Sequence, residues 1–367
     1  MRKIRVLIVD DSTVIRRLLS DVLSSAPEIE VVGTAPNGKI AIAKLPQLTP
    51  DVVTLDIEMP ELDGLQTVLE LRKTYPDLPV IMFSTLTQKG AESTLDALAN
   101  GANDYVTKPS NVGSVQAAMQ SVREELIPKI KSLCKWYSDT ASPTVLIPKK
   151  VTVHTPSAPM QRSGSHDRFD IVAIGSSTGG PSALMTVLKQ MPASFPVPIV
   201  IVQHMPPIFT KHLATRLNQN CALEVTEASS GDVIRPGMVF IAPGDFHMTL
   251  QRYGSEVRVE TNQDPAENSC RPAVDVLFRS VARLYGKNTL GVVLTGMGQD
   301  GRRGAEMIRD GGGRVFAQDE ATSVVWGMPR AVIQSGLADQ VLPLPDVANR
   351  LIVATSTGCE TRTKAKA

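Results

Sequence analysis

Short apolar runs alternate with stretches whose apolar residues recur at helical spacing along most of the chain, and the pattern breaks once. Ile4 to Val9 reads as a buried strand and Thr13 to Leu23 as a helix. Val31-Val32, Val52 to Leu55, Val80 to Phe83 and Tyr105-Val106 read as further strands. Between and after them, helical spacing covers Lys39 to Leu45, Leu65 to Leu71, Ala91 to Ala99 and Val115 to Leu126. This alternation predicts one α/β unit over residues 1–125, a parallel sheet with helices on both faces. From 126 to 168 the periodicity lapses into Pro, Ser, Thr and Lys, which reads as a tether, with His154 and His166 solvated within it.

Strand–helix alternation resumes at Phe169 and predicts a second α/β, mostly parallel-sheet domain over 169–356, followed by a basic tail, 357–367. Its expected strands are Phe169 to Ile174, Pro198 to Val202, Val239 to Ala242, Leu290 to Leu294 and Arg314 to Ala317. A β-excursion is expected at Met248 to Leu250 and Val257 to Glu260. The expected helices are Ser182 to Lys189, Thr210 to Leu217, Val274 to Tyr285 and Gly304 to Asp310.

In both units the polar residues fall where strands end, the edge at which open parallel sheets bind ligands. In the first, Asp10 and Asp11 follow strand one, Asp56 ends strand three, Ser84 ends strand four, and Lys108-Pro109 follow strand five. Carboxylates gathered there repel one another unless a hard divalent cation is held between them. A carboxylate beside such a cation, with a lysine and a hydroxyl near, can accept a phosphoryl group. Each residue alone also suits an ordinary turn.

In the second unit Gly175-x-Ser177-x-Gly179 joins strand to helix, with Pro181 in the first helical turn. The spacing fits a nucleophile elbow, whose backbone N–H groups would also serve an oxyanion; it equally fits plain packing or a phosphate cradle. His204 and Asp300 stand at the ends of two other strands, as a base and its orienting carboxylate would. His204 could also be a satisfied strand-end histidine, and Asp300 a cap for the helix after it. The order Ser…His…Asp differs from that of α/β-hydrolases. His212 lies mid-helix among basic residues, and His247 follows an APGD turn where a binding role is open.

Composition narrows the classes. Apolar residues at 42%, charged residues at 20% and a net charge of +1 describe a globular chain with no global pull toward nucleic acid or membrane. No apolar run is long enough to span a bilayer, and the amino terminus reads as a strand rather than a signal peptide. Cys134, Cys221, Cys270 and Cys359 lack metal or disulfide spacing, so reduced thiols in a cytoplasmic protein are expected.

VLIVDDS, TLDIEMPELDG, MFST and YVTKP resemble the receiver domain of two-component response regulators, which has a flavodoxin-like fold. The resemblance implies phosphorylation at Asp56, Mg²⁺ on Asp10, Asp11, Asp56 and the Glu58 backbone carbonyl, a switch hydroxyl at Ser84 and phosphoryl contact from Lys108. IGSSTGGP, VQHMPP, ENSCRPAVDVLF, LTGMGQDG and TSVVWGMP resemble the catalytic domain of the CheB family of chemotaxis protein-glutamate methylesterases. That likeness implies a Ser177–His204–Asp300 triad, with the Ser177 turn and Met297 as oxyanion donors and no cofactor for the hydrolysis. It also implies demethylation and deamidation of chemoreceptor cytoplasmic helices, and a chemotaxis histidine kinase as phosphodonor. Ser176 has no expected role. An esterase acting on another protein, or a phosphorylation-dependent binding module with a vestigial serine site, would share these features. A DNA-binding output is disfavoured because no basic recognition helix follows the receiver.

Overall fold

The computed structural model describes residues 2–109, 114–134 and 169–356. The tether from residue 135, the basic tail, His154, His166 and Cys359 lie outside them. The first unit contains β1 (Ile4–Val9), α1 (Thr13–Ser24), β2 (Ile29–Ala35), α2 (Gly38–Leu48) and β3 (Val52–Asp56). It continues with α3 (Gly64–Thr74), β4 (Val80–Ser84), α4 (Gln88–Ala99), β5 (Asp104–Thr107) and α5 (Val115–Leu133). All five strands are parallel, in the order β2-β1-β3-β4-β5, the flavodoxin-like order.

Both faces of this sheet are covered, which is why its strands read as continuous apolar runs. Leu7, Val9, Val53, Leu55 and Met82 pack on one side, and Val6, Ile8, Val52, Ile81 and Phe83 on the other. The one clear departure is α5, which passes Pro128 and runs on to Leu133. Proline removes a single backbone donor. Leu126, Ile127, Ile130 and Leu133, buried on the core, keep the helix going.

The second unit runs β6 (Ile171–Ser176), α6 (Gly180–Leu188), β7 (Ile199–Gln203), α7 (Phe209–Asn220), β8 (Glu224–Glu227) and β9 (Met238–Ile241). A hairpin, β10 (His247–Tyr253) and β11 (Glu256–Asn262), precedes α8 (Val274–Tyr285) and β12 (Thr289–Val293). Then come α9 (Arg302–Asp310), β13 (Arg314–Gln318), α10 (Met328–Gln334), β14 (Gln340–Leu342) and α11 (Leu344–Ser356). Seven parallel strands lie in the order β14-β13-β12-β6-β7-β9-β8, and β10–β11 is antiparallel. The chain builds outward from β6 through β7, then returns to β12 on β6's other side. The crevice beyond the carboxyl ends of β6 and β12 is therefore a topological switch point.

The two units meet through α4 and β5 of the first and α6 and α7 of the second. The Tyr105 ring stacks on Phe209 with centroids 4.7 Å apart and planes 5° from parallel. Arg216 pairs with Asp96, and Ser182 Oγ donates to the Leu98 carbonyl at 3.2 Å. Thr178 Oγ1 donates to Asp104 Oδ2 at 2.6 Å, both groups being buried.

One contact sets the distance between β6 and α8. A Cβ on Gly175 would lie 2.4 Å from Val274 Cγ1. Gly175→Ala is expected to destabilise by about 1–3 kcal/mol through overpacking. In thermal unfolding, Gly175→Ala combined with Val274→Ala should be far less destabilised than the sum of the single losses; simple additivity would show that this contact is not the cause.

Candidate active site and phosphoacceptor site

At the edge of the first sheet, oxygens of Asp10, Asp11 and Asp56 lie within 4.8 Å of one another. Lys108 Nζ reaches between them, 3.0 Å from Asp10 Oδ2 and 2.8 Å from Asp56 Oδ1. Burial raises the Asp56 pKa to about 6, helped by the Asp10 charge and opposed by Lys108. Asp10 is raised chiefly by burial as well. Burial works against the Lys108 charge, but its bonds to the two carboxylates outweigh that and hold it above the ordinary lysine value. The Ser84 hydroxyl accepts from Thr94 Oγ1 at 2.7 Å and donates to the Gly90 carbonyl at 3.2 Å, so it is tied to α4. The Glu58 carboxylate turns outward to Lys89, at 2.8 Å.

At the edge of the second sheet, β6 ends in Ser176 and the chain turns through Gly179 at φ +76°, a left-handed conformation that glycine adopts without strain. Four bonds fix this turn. Gly180 N donates to the Ser177 carbonyl at 2.7 Å, and Ser177 N to the Thr295 carbonyl at 3.0 Å. Gln203 Nε2 also donates to the Ser177 carbonyl, at 2.9 Å, while Ser176 Oγ donates to Gln203 Oε1 at 2.7 Å. Ser176 is therefore not idle. Its removal would strip the buried Gln203 carbonyl of a donor, which the sequence alone did not reveal.

The expected oxyanion role of the Ser177 amide is corrected by the same geometry, because that N–H is spent on Thr295. The amides of Thr178 and Met297 have no acceptor among the described residues. Thr178 lies within the expected Ser177 turn, at the position that in elbow geometry supplies an oxyanion donor. Gly296 brings the Met297 loop close: a Cβ on Gly296 would lie 2.9 Å from Ser177 Cβ.

His204 and Asp300 come together. His204 Nε2 is 2.8 Å from Asp300 Oδ2, and its Nδ1 is 3.5 Å from Cys270 Sγ. Burial alone would lower the His204 pKa; the bonds to Asp300 and Cys270 outweigh it and hold the imidazole above its usual range. Asp300 is buried and still held low, because His204 and backbone amides offset its desolvation. Those amides belong to Val274 at 2.7 Å, Asp275 at 3.0 Å and Gly301 at 2.9 Å. Asp300 thus does bind a helix N-terminus, but that of α8 rather than only the segment that follows it. Among the described residues Ser177 Oγ makes no hydrogen bond to His204.

His247 is a structural residue, its ring nitrogens 3.2 Å from the Ala273 N–H and 3.2 Å from the Pro265 carbonyl. His212 lies on α7 beside a surface cleft with Ile208 and Phe246. Cys134, Cys221 and Cys270 are free thiols.

Residues 6–120 match the response regulator receiver domain and residues 172–351 the CheB methylesterase domain. A protein-glutamate methylesterase/protein-glutamine glutaminase of Trichodesmium erythraeum is 54% identical over 356 residues, 96% of this chain and 99% of that protein. One of the same name from a Nocardioides species is 52% identical, covering 96% of each chain. The crystal structure of the Thermotoga maritima CheB methylesterase catalytic domain matches with a TM-score of 0.50 and 47% identity, over 50% of this chain and 97% of that one. With both domains matched in order and identity above half along nearly its whole length, the chain belongs to the CheB methylesterase family, carrying a catalytic domain behind a response regulator receiver.

Proposed function

We propose that the chain is a phosphorylation-activated protein-glutamate methylesterase and protein-glutamine glutaminase acting on the cytoplasmic helices of chemoreceptors. In this reading residues 1–125, with α5 running on to Leu133, form the phosphoacceptor unit, 169–356 the hydrolase, 126–168 the tether and 357–367 a basic tail. A chemotaxis histidine kinase is the phosphodonor, and the enzyme works in the cytoplasm. Among the described residues no helix is long and apolar enough to cross a membrane.

The observation that carries the hydrolase reading is the His204–Asp300 pair, at 2.8 Å, on the same sheet edge as Ser177. Ser177 Oγ attacks the γ-carbonyl carbon and its proton passes to His204. Nε2 is engaged by Asp300, so Nδ1 is the nitrogen that takes the proton. Asp300 fixes the ring and stabilises the imidazolium, while the Thr178 and Met297 amides bind the oxyanion. The imidazolium returns the proton to the leaving group, so methanol departs from an ester or ammonia from an amide. Water, deprotonated by His204, then releases glutamate and regenerates Ser177.

The receiver controls this site by covering it. Asp104 and Tyr105 of β5 bind the Ser177 turn and Phe209, and phosphorylation at Asp56, read out through Ser84 and Lys108, loosens that contact. Asp10, Asp11 and Asp56, crowded and mostly buried oxygen donors, fit a hard cation. They would hold Mg²⁺ with the Glu58 carbonyl. Bound there, the ion would neutralise phosphoryl oxygens during transfer to Asp56.

Ser177→Ala and His204→Ala should each lower methanol release from methylated receptor membranes by roughly a thousandfold or more, and the double variant should fall little further. Asp300→Asn should lose less turnover than Ser177→Ala, together with about 1–3 kcal/mol of stability, because an amide serves Asp300's donors poorly. Reduced melting temperature with near-normal turnover would leave Asp300 only a helix cap.

Mg²⁺ should stabilise the wild-type chain against heat but not Asp10→Asn. A carboxyl raised in the folded state binds its proton more tightly there, so stability falls as pH rises from the unfolded carboxylate range to about 6. The Mg²⁺ gain should therefore be full above about pH 6 and fade below it; a gain that persists at pH 4.5 would contradict the site.

A further inference from the structure

The loop before α8 makes a tight turn that touches both members of the His204–Asp300 pair. Glu267 and Cys270 exchange backbone bonds, 3.1 and 2.9 Å, around Asn268 at φ +53° and Ser269 at φ +62°. Two successive left-handed residues make a tight two-residue turn, and Asn is among the few non-glycine residues that enter that region readily. Arg279 of α8 anchors the turn by donating to both Glu267 oxygens, at 2.7 and 2.6 Å.

Asn268 Nδ2 donates to Asp300 Oδ1 at 2.8 Å and to Asp275 Oδ2 at 2.9 Å. Asp275 and Asp300 are both buried, and two carboxylates so close repel unless a donor lies between them. The amide of Asn268 is that donor. Asp275 Oδ1 is in turn held by Gly304 N at 2.7 Å. Two residues on, Cys270 Sγ faces His204 Nδ1.

We propose that Asn268 is a positioning residue of the hydrolase: its amide fixes the Asp300 carboxylate between α8 and His204, and so sets the orientation and proton affinity of the catalytic imidazole. This rests on the reading of Ser177, His204 and Asp300 as the reacting group. The charges facing Asp300 are His204, Asp275 and Arg279 of α8 and Glu267 of the turn, while Arg303 of α9 acts on Glu267. Asn268 is the neutral group between the two carboxylates. Without its donors Asp300 becomes more basic, and the imidazolium of His204 is favoured over the free base.

The test uses the full chain, activated with acetyl phosphate, and three variants. Asn268→Gly keeps the left-handed turn and deletes the amide. Its kcat for methanol release should fall about ten- to hundredfold with KM little changed. The acid limb of its pH profile, which reports His204, should move to higher pH. Asn268→Asp combined with Asp275→Asn keeps the net charge and a 268–275 hydrogen bond with donor and acceptor exchanged, but faces Asp300 with a carboxylate. A residue that only holds the turn to α8 would be rescued by this exchange, whereas a positioning residue would not. Recovery of wild-type kcat in the exchange variant, or an unmoved acid limb and kcat in Asn268→Gly, overturns the inference. Ser177→Ala runs alongside: if it retains turnover, the nucleophile reading fails. The Asn268 inference is then judged by the ¹⁵N titration of the His204 ring, which must shift in Asn268→Gly and stay at wild-type values if the inference is wrong.

Discussion

A single hydrogen bond, Thr178 Oγ1 to Asp104 Oδ2 at 2.6 Å, joins the residue after Ser177 to the receiver's last strand. Its setting makes it strict. Asp104 is buried and shares Lys129 with Glu125, at 3.4 and 3.3 Å. Burial opposes the Lys129 charge, but the two carboxylates outweigh it and keep the ammonium protonated. Buried ion pairs contribute little net stability yet are expensive to leave half-made, so Asp104 needs its partners. The Tyr105 ring stacks on Phe209 and lies under the Lys129 ammonium, 5.0 Å from the ring centre. Displacing β5 from the catalytic unit therefore disturbs a charge cluster, an aromatic stack and the Ser177 turn together.

The strand ends make the communication short. Lys108, two residues past Val106 on β5's line, binds Asp56, and Ser84 at the end of β4 is bonded to Thr94 of α4. α4 itself packs on α6 and α7. Lys108 and Ser84 thus link Asp56 to the two elements that bond Thr178 and Ser182 beside Ser177. The parallel topology supplies this, because it gathers the polar ends of all strands of each sheet at one edge.

Much of this was legible from residue order. β6, buried along its whole length, announces itself as an apolar run; Asp10, Asp56, Ser177 and His204 stand where apolar runs stop, and Asp300 lies in the loop between β12 and α9. Contacts across long sequence separations were not legible. Asp104 and Thr178 are 74 residues apart, and nothing in the sequence around either pairs them. Asn268 and Cys270 act from a turn whose direction depends on two left-handed residues and on Arg279. β8 and β14 were missed because sheet-edge strands alternate burial weakly. The Ser177 amide is taken by a carbonyl of β12's loop, a pairing visible only once β6 and β12 are neighbours.

The central claim is that phosphorylation at Asp56 releases the Ser177 turn from β5 and α4. Amide hydrogen exchange on the full chain, with and without acetyl phosphate and Mg²⁺, reads that contact directly. On phosphorylation, peptides covering Thr178–Ser182 and Asp96–Tyr105 should lose protection together, and Asp56→Asn should abolish the change. Unaltered protection of both segments in a chain that is demonstrably phosphorylated would contradict the account.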